Sequence, residues 1–336
     1  MAQECSGDQP FGEPATSEIA TSEIATSEIA TREPLLAELL PGQQILGWRQ
    51  EQLAKGGQSS DLDWLLDLGG GLRWQELQLL HLNPGRQVAL SRSLDGLAAL
   101  WDRHLQSAEP LQYLVGLCPW RDLQLEVAPG VLIPRQETEL LVECALGLMG
   151  GRGPALWADL GTGSGCLALA LARAWPGSRG FAVEQSPEAI AIATGNLQSP
   201  REGPMASVEL LLGSWWEPLQ PFWGQLELVV SNPPYIPSAV WAALDPVVRD
   251  HEPAGALDGG RDGLDAIRSI GQGAAKALAP GGWLLLEHHH DQSLAVQGLL
   301  MDAGLEQVSS YPDLEGIQRF AAARRPPAAG LEGLQP

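Results

Sequence analysis

Asn232-Pro233-Pro234-Tyr235 lies one residue past an apolar run, Leu226 to Val230, that reads as a buried strand. Neither proline has an N–H to give a neighbouring strand and each holds φ near −65°, so the segment is a stiff rim where the strand stops. Such a rim can grip a flat NH2 group: Asn232 offers a carboxamide oxygen, the flanking main chain offers carbonyls, and Tyr235 can cover the group. A second constellation lies upstream. Gly161-Thr162-Gly163-Ser164-Gly165 joins the apolar run Leu156 to Leu160 to the Ala/Leu-rich stretch Cys166 to Ala174, which is a strand, a glycine turn and a helix. Glycines let the main chain turn sharply and approach a ligand, and a helix N-terminus favours a carboxylate or phosphate. The G-x-G-x-G spacing departs from the dinucleotide fingerprint. Glu184 ends the next apolar strand, Gly180 to Val183, about 20 residues after the turn, where a ribose-binding carboxylate belongs. Asp159 precedes the turn and is expected to orient it rather than to react.

To hold these groups together the chain needs a sheet whose strand ends gather on one side. Strand candidates alternate with helices through residues 156–300, and two short runs, Leu305 to Ser310 and Arg319 to Ala323, close the pattern. The expected fold is α/β, a Rossmann-like doubly wound sheet with a C-terminal antiparallel hairpin, preceded by a small N-terminal helical bundle. Residues 35–109 carry the bundle pattern: apolar residues three and four apart in Leu62-Trp64-Leu65-Leu66-Leu68, Trp74-Leu77-Leu79-Leu80 and Leu94-Leu97-Leu100-Trp101-Leu105. Gly69-Gly70-Gly71 and Asn83-Pro84-Gly85 separate these segments. Residues 110–133 are expected to form a linker with short apolar runs around Leu123-Leu125-Val127 and Val131-Leu132-Ile133. Residues 134–325 then form the main domain and 326–336 a frayed tail. Thr138-Glu139 is expected to cap the first turn of a helix from Leu140 to Leu148. Residues 15–34 repeat Ala-Thr-Ser-Glu-Ile and lie in a segment, 1–34, with seven acids against the single base Arg32, the composition of a disordered tail.

With 20 Lys and Arg against 41 Asp and Glu, the 336-residue chain carries a formal charge of −21. A protein that grips a nucleic-acid backbone must neutralise phosphates, so no direct nucleic-acid partner is expected. Cys5, Cys118, Cys144 and Cys166 form no C-x-x-C pair and read as reduced thiols of a cytoplasmic protein. No apolar stretch is long enough to span a membrane, and no signal peptide opens the chain. His288-His289-His290 lacks the spacing of a zinc motif, so an exposed loop and no metal are expected there.

These motifs, in their order, resemble the class I S-adenosylmethionine-dependent methyltransferases with an Asn-Pro-Pro-Tyr motif, and within them the peptide chain release factor glutamine methyltransferases. The resemblance covers about two thirds of the chain. It includes Pro110 to Gly116, Val131 to Glu139, Glu252-Pro253-Ala254-Gly255-Ala256-Leu257, Gly259 to Leu264, Leu278 to Gly282 as a loop leading into a strand from Leu284 to Glu287, and Asp313 to Gly316. Departures are Gln136 for the usual proline, Glu184 for the commoner aspartate, and the histidine run for a glycine.

The resemblance implies S-adenosyl-L-methionine as cofactor, S-adenosyl-L-homocysteine as product, and as substrate the glutamine of the Gly-Gly-Gln motif in class I translation release factors. It assigns substrate binding to Asn232, Pro233, Pro234 and Tyr235, with Asn232, Pro233 and Tyr235 catalytic. Gly161, Thr162, Gly163, Ser164, Gly165, Glu184, Trp215 and Asn232 would hold the cofactor, with Trp215 or its neighbour Trp216 beside the adenine. The helical domain would help hold the protein substrate, residues 110–133 would be a hairpin, Pro134 to Glu139 would stand near the cofactor and substrate mouth, and the enzyme would act as a monomer. Two other activities share the rim motif: methylation of a ribosomal-protein glutamine, and amino-methylation of DNA or RNA, which the charge disfavours.

Overall fold

The computed structural model describes residues 38–200 and 203–328; the repeat at 15–34 and most of the C-terminal tail lie outside the described residues. Its strands in chain order are β1 (Glu38–Pro41), β2 (Gln87–Leu90), β3 (Leu117–Trp120), β4 (Leu123–Glu126), β5 (Leu156–Leu160), β6 (Arg179–Glu184), β7 (Ser207–Leu212), β8 (Leu226–Ser231), β9 (Leu278–Glu287), β10 (Glu306–Pro312) and β11 (Gln318–Arg324). Seven of them form one sheet in the order β10-β11-β9-β8-β5-β6-β7. The pairs β5–β6, β5–β8, β6–β7 and β8–β9 are parallel, while β9–β11 and β10–β11 are antiparallel.

A parallel sheet needs helices on both faces, so its strands are apolar on both sides. Alternation along the strands sorts their residues. Trp157, Leu228, Val230, Leu285 and Phe320 pack with the helices Glu139–Met149 and Cys166–Ala174. Ala158, Leu160, Val229, Leu284 and Ala321 pack on the other side with the helices Asp265–Ala277 and Ser293–Asp302. Each fully buried leucine of such a core contributes about 1.5–3 kcal/mol. β9 begins earlier than the sequence suggests, since Leu278-Ala279-Pro280-Gly281-Gly282 belongs to it, with the register against β8 shifting between Leu226 and Leu228. Pro280 and Gly281 fall in that register shift, outside the ladder with β8, and Arg324 Nε donates to Gly281 O at 2.9 Å from the neighbouring β11.

Ahead of the sheet lie the helices Gly42–Ala54, Ser59–Trp64, Trp74–Leu82, Leu94–Ser107 and Leu111–Val115, with a π-helical turn at Leu65–Gly69. Ile45, Leu62, Leu65, Leu77, Leu80, Leu97 and Trp101 share one buried cluster. The pairing of β1 with β2 was not legible in the helical periodicity. Within 110–133, β3 pairs with β4, and 131–133 pairs with no strand. Pro129-Gly130 and Pro134 interrupt that run, and its polar main chain is met by side chains. Tyr113 Oη donates to Val131 O at 2.6 Å, and Ile133 N donates to Glu252 Oε2 at 3.0 Å.

Candidate active site

Because β6 and β7 build outward on one side of β5 and β8 and β9 on the other, the connections leave the sheet in opposite directions between β5 and β8. A crevice opens at the carboxyl ends of these strands, the usual ligand position in open α/β sheets. Ser231 Oγ donates to Leu160 O at 2.6 Å and pins the two strand ends together.

On the β5 side, Gly161, Gly163 and Gly165 have φ of 71°, 55° and 81°, a left-handed conformation that side chains disfavour. A Cβ on Gly161 would stand 3.3 Å from the Trp215 ring, whereas one on Gly163 would meet nothing within 4 Å, since that carbon borders open cleft. Asp159 is fully buried and accepts from Thr162 Oγ1 at 2.6 Å and from Ala168 N at 3.2 Å, so it does orient the turn. Burial pushes its carboxyl up to about 7, against the pull of those two donors. Glu184 closes the turn from β6: Oε1 accepts from Gln185 N (2.8 Å) and Ser186 N (3.0 Å), and Oε2 accepts from Gly163 N (2.9 Å). Oε2 keeps acceptor capacity for a sugar hydroxyl. Asn196, which the sequence reading did not single out, ties the turn to β4 by donating to Ser164 O and to Glu126 O, both at 2.9 Å.

On the β8 side, Asn232 Nδ2 donates to Thr138 Oγ1 at 2.9 Å, and Thr138 Oγ1 donates to Glu287 Oε2 at 2.8 Å. Tyr235 Oη donates to Glu287 Oε1 at 2.9 Å. Thr138 stands at the helix start yet makes no side-chain cap, because its hydroxyl is turned to Glu287. Glu287 is buried at the end of β9, and burial pushes its carboxyl up to about 7. Tyr235 is pushed well above the usual phenol range by burial and by the Glu287 charge. A loop braces the rim from behind: a Cβ on Gly263 would fall 2.2 Å from Tyr235 O, and one on Gly259 2.8 Å from Pro234 O. Gln292 Nε2 donates to Tyr235 O (2.9 Å) and Asp262 O (3.1 Å), and its Oε1 accepts from His289 N at 2.9 Å. The histidine run is therefore not a simple exposed loop: His288 is buried, and only His290 is fully exposed. His289, His290 and Asp291 place possible ligand atoms within 4.8 Å of one another.

The cleft between the two sides measures about 1030 Å³, its open mouth included. Gly161, Thr162, Gly163, Ser164, Glu184, Trp215, Asn232 and Pro234 line it, whereas Gly165, Pro233 and Tyr235 stand behind the lining. Trp215 and Trp216 separate cleanly. Trp215 lines the cleft at a φ of 44°, a strained value for a bulky residue. Trp216 is buried against Gly273 and donates Nε1 to Ile270 O at 3.0 Å. Arg135 and Thr138 also line the cleft, and Arg135 Nη2 is held by Glu252 Oε1 at 2.6 Å. A flat indole wall, a carboxylate with acceptor capacity at a strand end and a glycine turn whose middle carbon opens onto free space together suit a nucleoside such as that of S-adenosylmethionine. Thr138 belongs to the segment 134–139 that the resemblance places near the cofactor and substrate mouth, whereas Glu287, Gln292 and Gly263 were missed as site residues, although Glu287 and Gly263 lie in segments that the resemblance covers.

Known proteins match this chain over the same region. Residues 137–243 fit the family model described as Methyltransferase small domain. A release factor glutamine methyltransferase of Prochlorococcus marinus is 52% identical over 290 residues, covering 84% of this chain and 97% of the relative. One from Gloeobacter violaceus is 45% identical over 281 residues, covering 82% and 94%. A crystal structure of a release factor-specific protein-(glutamine-N5) methyltransferase from Alicyclobacillus acidocaldarius aligns with 60% of this chain and all of that one, at 28% identity and a TM-score of 0.37. The chain is an S-adenosylmethionine-dependent methyltransferase and belongs to the release factor glutamine methyltransferase family.

Proposed function

We propose that this enzyme methylates the side-chain amide nitrogen, N5, of the glutamine in the Gly-Gly-Gln motif of class I translation release factors. The observation that carries the reading is 52% identity, over 84% of this chain and 97% of the relative, to a protein of that name, with Asn232 and Pro234 of the Asn-Pro-Pro-Tyr rim lining the cleft. S-adenosylmethionine, when bound, supplies a methyl group on a sulfonium, which is already a good leaving group. What the protein adds is alignment.

A carboxamide nitrogen is a poor nucleophile because its lone pair is delocalised. Asn232 Oδ1 and the Pro233 carbonyl accept its two hydrogens, fix its direction and favour the positive charge that develops on it. The methylated nitrogen sheds one proton to water, so no dedicated base is needed and His251 and His288 are spectators. Glu184 takes the ribose hydroxyls, Trp215 lies against the adenine, and Gly161 to Gly165 follow the methionine side. Tyr235 stands behind the rim and stiffens it through Glu287 rather than covering the amide. The mechanism requires no metal.

Residues 35–109 act in this reading as the release-factor recognition domain, 110–133 as the linker and 134–325 as the catalytic domain. The enzyme works as a cytoplasmic monomer. No helix among the described residues is long and apolar enough to cross a membrane, and a charge of −21 opposes a nucleic-acid substrate. The test is transfer of labelled methyl to purified release factors beside their Gln→Ala variants, with ribosomal proteins and DNA as parallel substrates. Label that enters the factor and is absent from the variant supports the reading. Label found only in ribosomal protein or DNA would move the substrate while leaving the cofactor chemistry in place.

A further inference from the structure

Asn232 is one end of a hydrogen-bonded chain whose other end is a buried carboxylate. It runs from Asn232 Nδ2 to Thr138 Oγ1 (2.9 Å) and from Thr138 Oγ1 to Glu287 Oε2 (2.8 Å), while Tyr235 Oη reaches Glu287 Oε1 (2.9 Å). Glu287 is 1% exposed, so water does not compete for these contacts. A threonine hydroxyl has one hydrogen, and an ionised carboxylate can only accept. Glu287 therefore obliges both hydroxyls to point their hydrogens at it, which leaves Thr138 nothing but lone pairs for Asn232. A carboxamide that meets lone pairs must present its NH2 edge, and the opposite edge, Oδ1, is then free for the cleft that Asn232 lines.

The sense of that carboxamide matters. Turned the other way, Asn232 would offer hydrogens to a substrate NH2 that has only hydrogens to give. Neither rotamer preference nor shape distinguishes the two ends of the side chain, because oxygen and NH2 are nearly isosteric. Only the neighbour's hydrogen-bonding sense does. We infer that Glu287, acting through Thr138, is a positioning residue that sets the donor and acceptor ends of Asn232 so that Oδ1 faces the substrate amide. Thr138 and Glu287 are 149 residues apart and come from different elements, so the orientation is assembled only when the sheet closes. This inference rests on the reading in which Asn232 accepts from a glutamine amide.

The test uses the full-length enzyme and a Gly-Gly-Gln release factor, with kcat, KM for each substrate and the melting temperature measured for three variants. In Glu287→Gln the introduced amide can donate to Thr138 Oγ1, which frees the threonine hydrogen for Asn232 Oδ1 and lets the carboxamide reverse. Thr138→Val removes the relay, and Thr138→Ser restores it. Glu287→Gln and Thr138→Val are expected to lower kcat about tenfold to a hundredfold with KM for S-adenosylmethionine within about twofold. Thr138→Ser is expected to return kcat to within about threefold of the parent. Parent-like kcat in both Glu287→Gln and Thr138→Val would overturn the inference, as would losses that follow cofactor affinity or melting temperature. If the parent enzyme itself transfers no label to the release factor, the proposed function falls first and this inference with it.

Discussion

The two sides of the cleft solve the same problem with different parts. On the cofactor side the polar groups are secured over short stretches of chain: Thr162 to Asp159 spans three residues, Ala168 to Asp159 nine, and Gly163 to Glu184 twenty-one. On the rim side the partners are far apart: Asn232 and Thr138 are separated by 94 residues, Thr138 and Glu287 by 149, and Tyr235 and Glu287 by 52. Two main-chain amides and one hydroxyl hold the first set, whereas every contact of the second passes through a side-chain hydroxyl. The glycine turn can thus take shape with two adjacent strands, whereas the rim is right only when β8, β9 and the segment before the helix Glu139–Met149 are all in place. A division of labour follows, with affinity for cofactor on one side and rate on the other.

Asn232→Ala tests that division most severely. It removes the acceptor for the substrate amide, and kcat is expected to fall by about 10²–10³-fold, the loss seen when one preorganised polar group is deleted from an active site. Calorimetry should find S-adenosylmethionine affinity nearly unchanged. Loss of cofactor affinity together with rate would merge the two sides into one. The reverse experiment is Glu184→Ala, which should weaken cofactor binding by about 10–100-fold, since a charge-assisted acceptor and the anchor of Gly163 N go together. At saturating cofactor its kcat should stay within a few-fold of the parent enzyme.

Each side also buries one carboxylate pushed up to about 7, Asp159 and Glu287, and pH separates their roles. Both folded values lie above the ordinary carboxyl range, so the folded state holds protons that the unfolded state releases between about pH 4 and 7. Their contribution to stability is complete below about pH 4 and is lost as pH rises through 7. Urea unfolding is expected to give a stability lower by about 2–5 kcal/mol at pH 7.5 than at pH 5, with Glu287→Gln removing roughly half of that slope. Asp262 and Asp291, whose carboxyls are lowered, are ionised in both states across this window and leave it flat. Rate should move the opposite way. Glu287 orients Asn232 only when ionised, so kcat should climb from pH 6 to pH 8 while stability falls. Burial chiefly sets where the climb is centred, against the pull of its two hydroxyl partners, and the charges that face it, Glu137 raising and Arg319 lowering, adjust it. A kcat that stays flat with pH, or a climb that survives in Glu287→Gln, would detach the rim carboxylate from the rate.

The same contrast explains what was legible beforehand. The helix Cys166–Ala174 and strand β5 match the boundaries read from the sequence, because a glycine turn between an apolar strand and an Ala-rich helix is local chemistry. The doubly wound sheet and its closing hairpin followed from alternation and length. Thr138 was read as a helix cap because spacing shows only near neighbours, and its true partner is Glu287 on a strand end far along the chain. The register of β3 with β4 turns on Arg121 taking a φ of 53° between them, which residue type does not announce. The histidine run was read as an exposed loop because it lacks zinc-motif spacing. His288, just past the end of β9, is instead buried, and its main-chain N–H donates to Arg319 O at 2.9 Å.

The choice between Trp215 and Trp216 supplies the mildest test. Adjacent residues on a tight turn must point apart, and here one indole goes to the cleft and the other to the core. Trp215→Phe keeps a flat ring over Gly161 but loses part of its stacking area, so cofactor affinity should drop by about two- to fivefold, with kcat and melting temperature unchanged. Trp216→Phe should do the opposite. It removes the Nε1 bond to Ile270 O and opens space against Gly273, so stability should fall by about 1–3 kcal/mol with cofactor affinity preserved. Trp215 also holds a φ of 44° where it lines the cleft, a strained value for a bulky residue. Trp215→Gly relieves that strain as it removes the wall, so the comparison of Phe with Gly at this position divides the two effects. If the glycine variant is no more stable than the phenylalanine variant, the turn is held open by its glycine-rich neighbours, and Trp215 owes its place to packing rather than to the ligand.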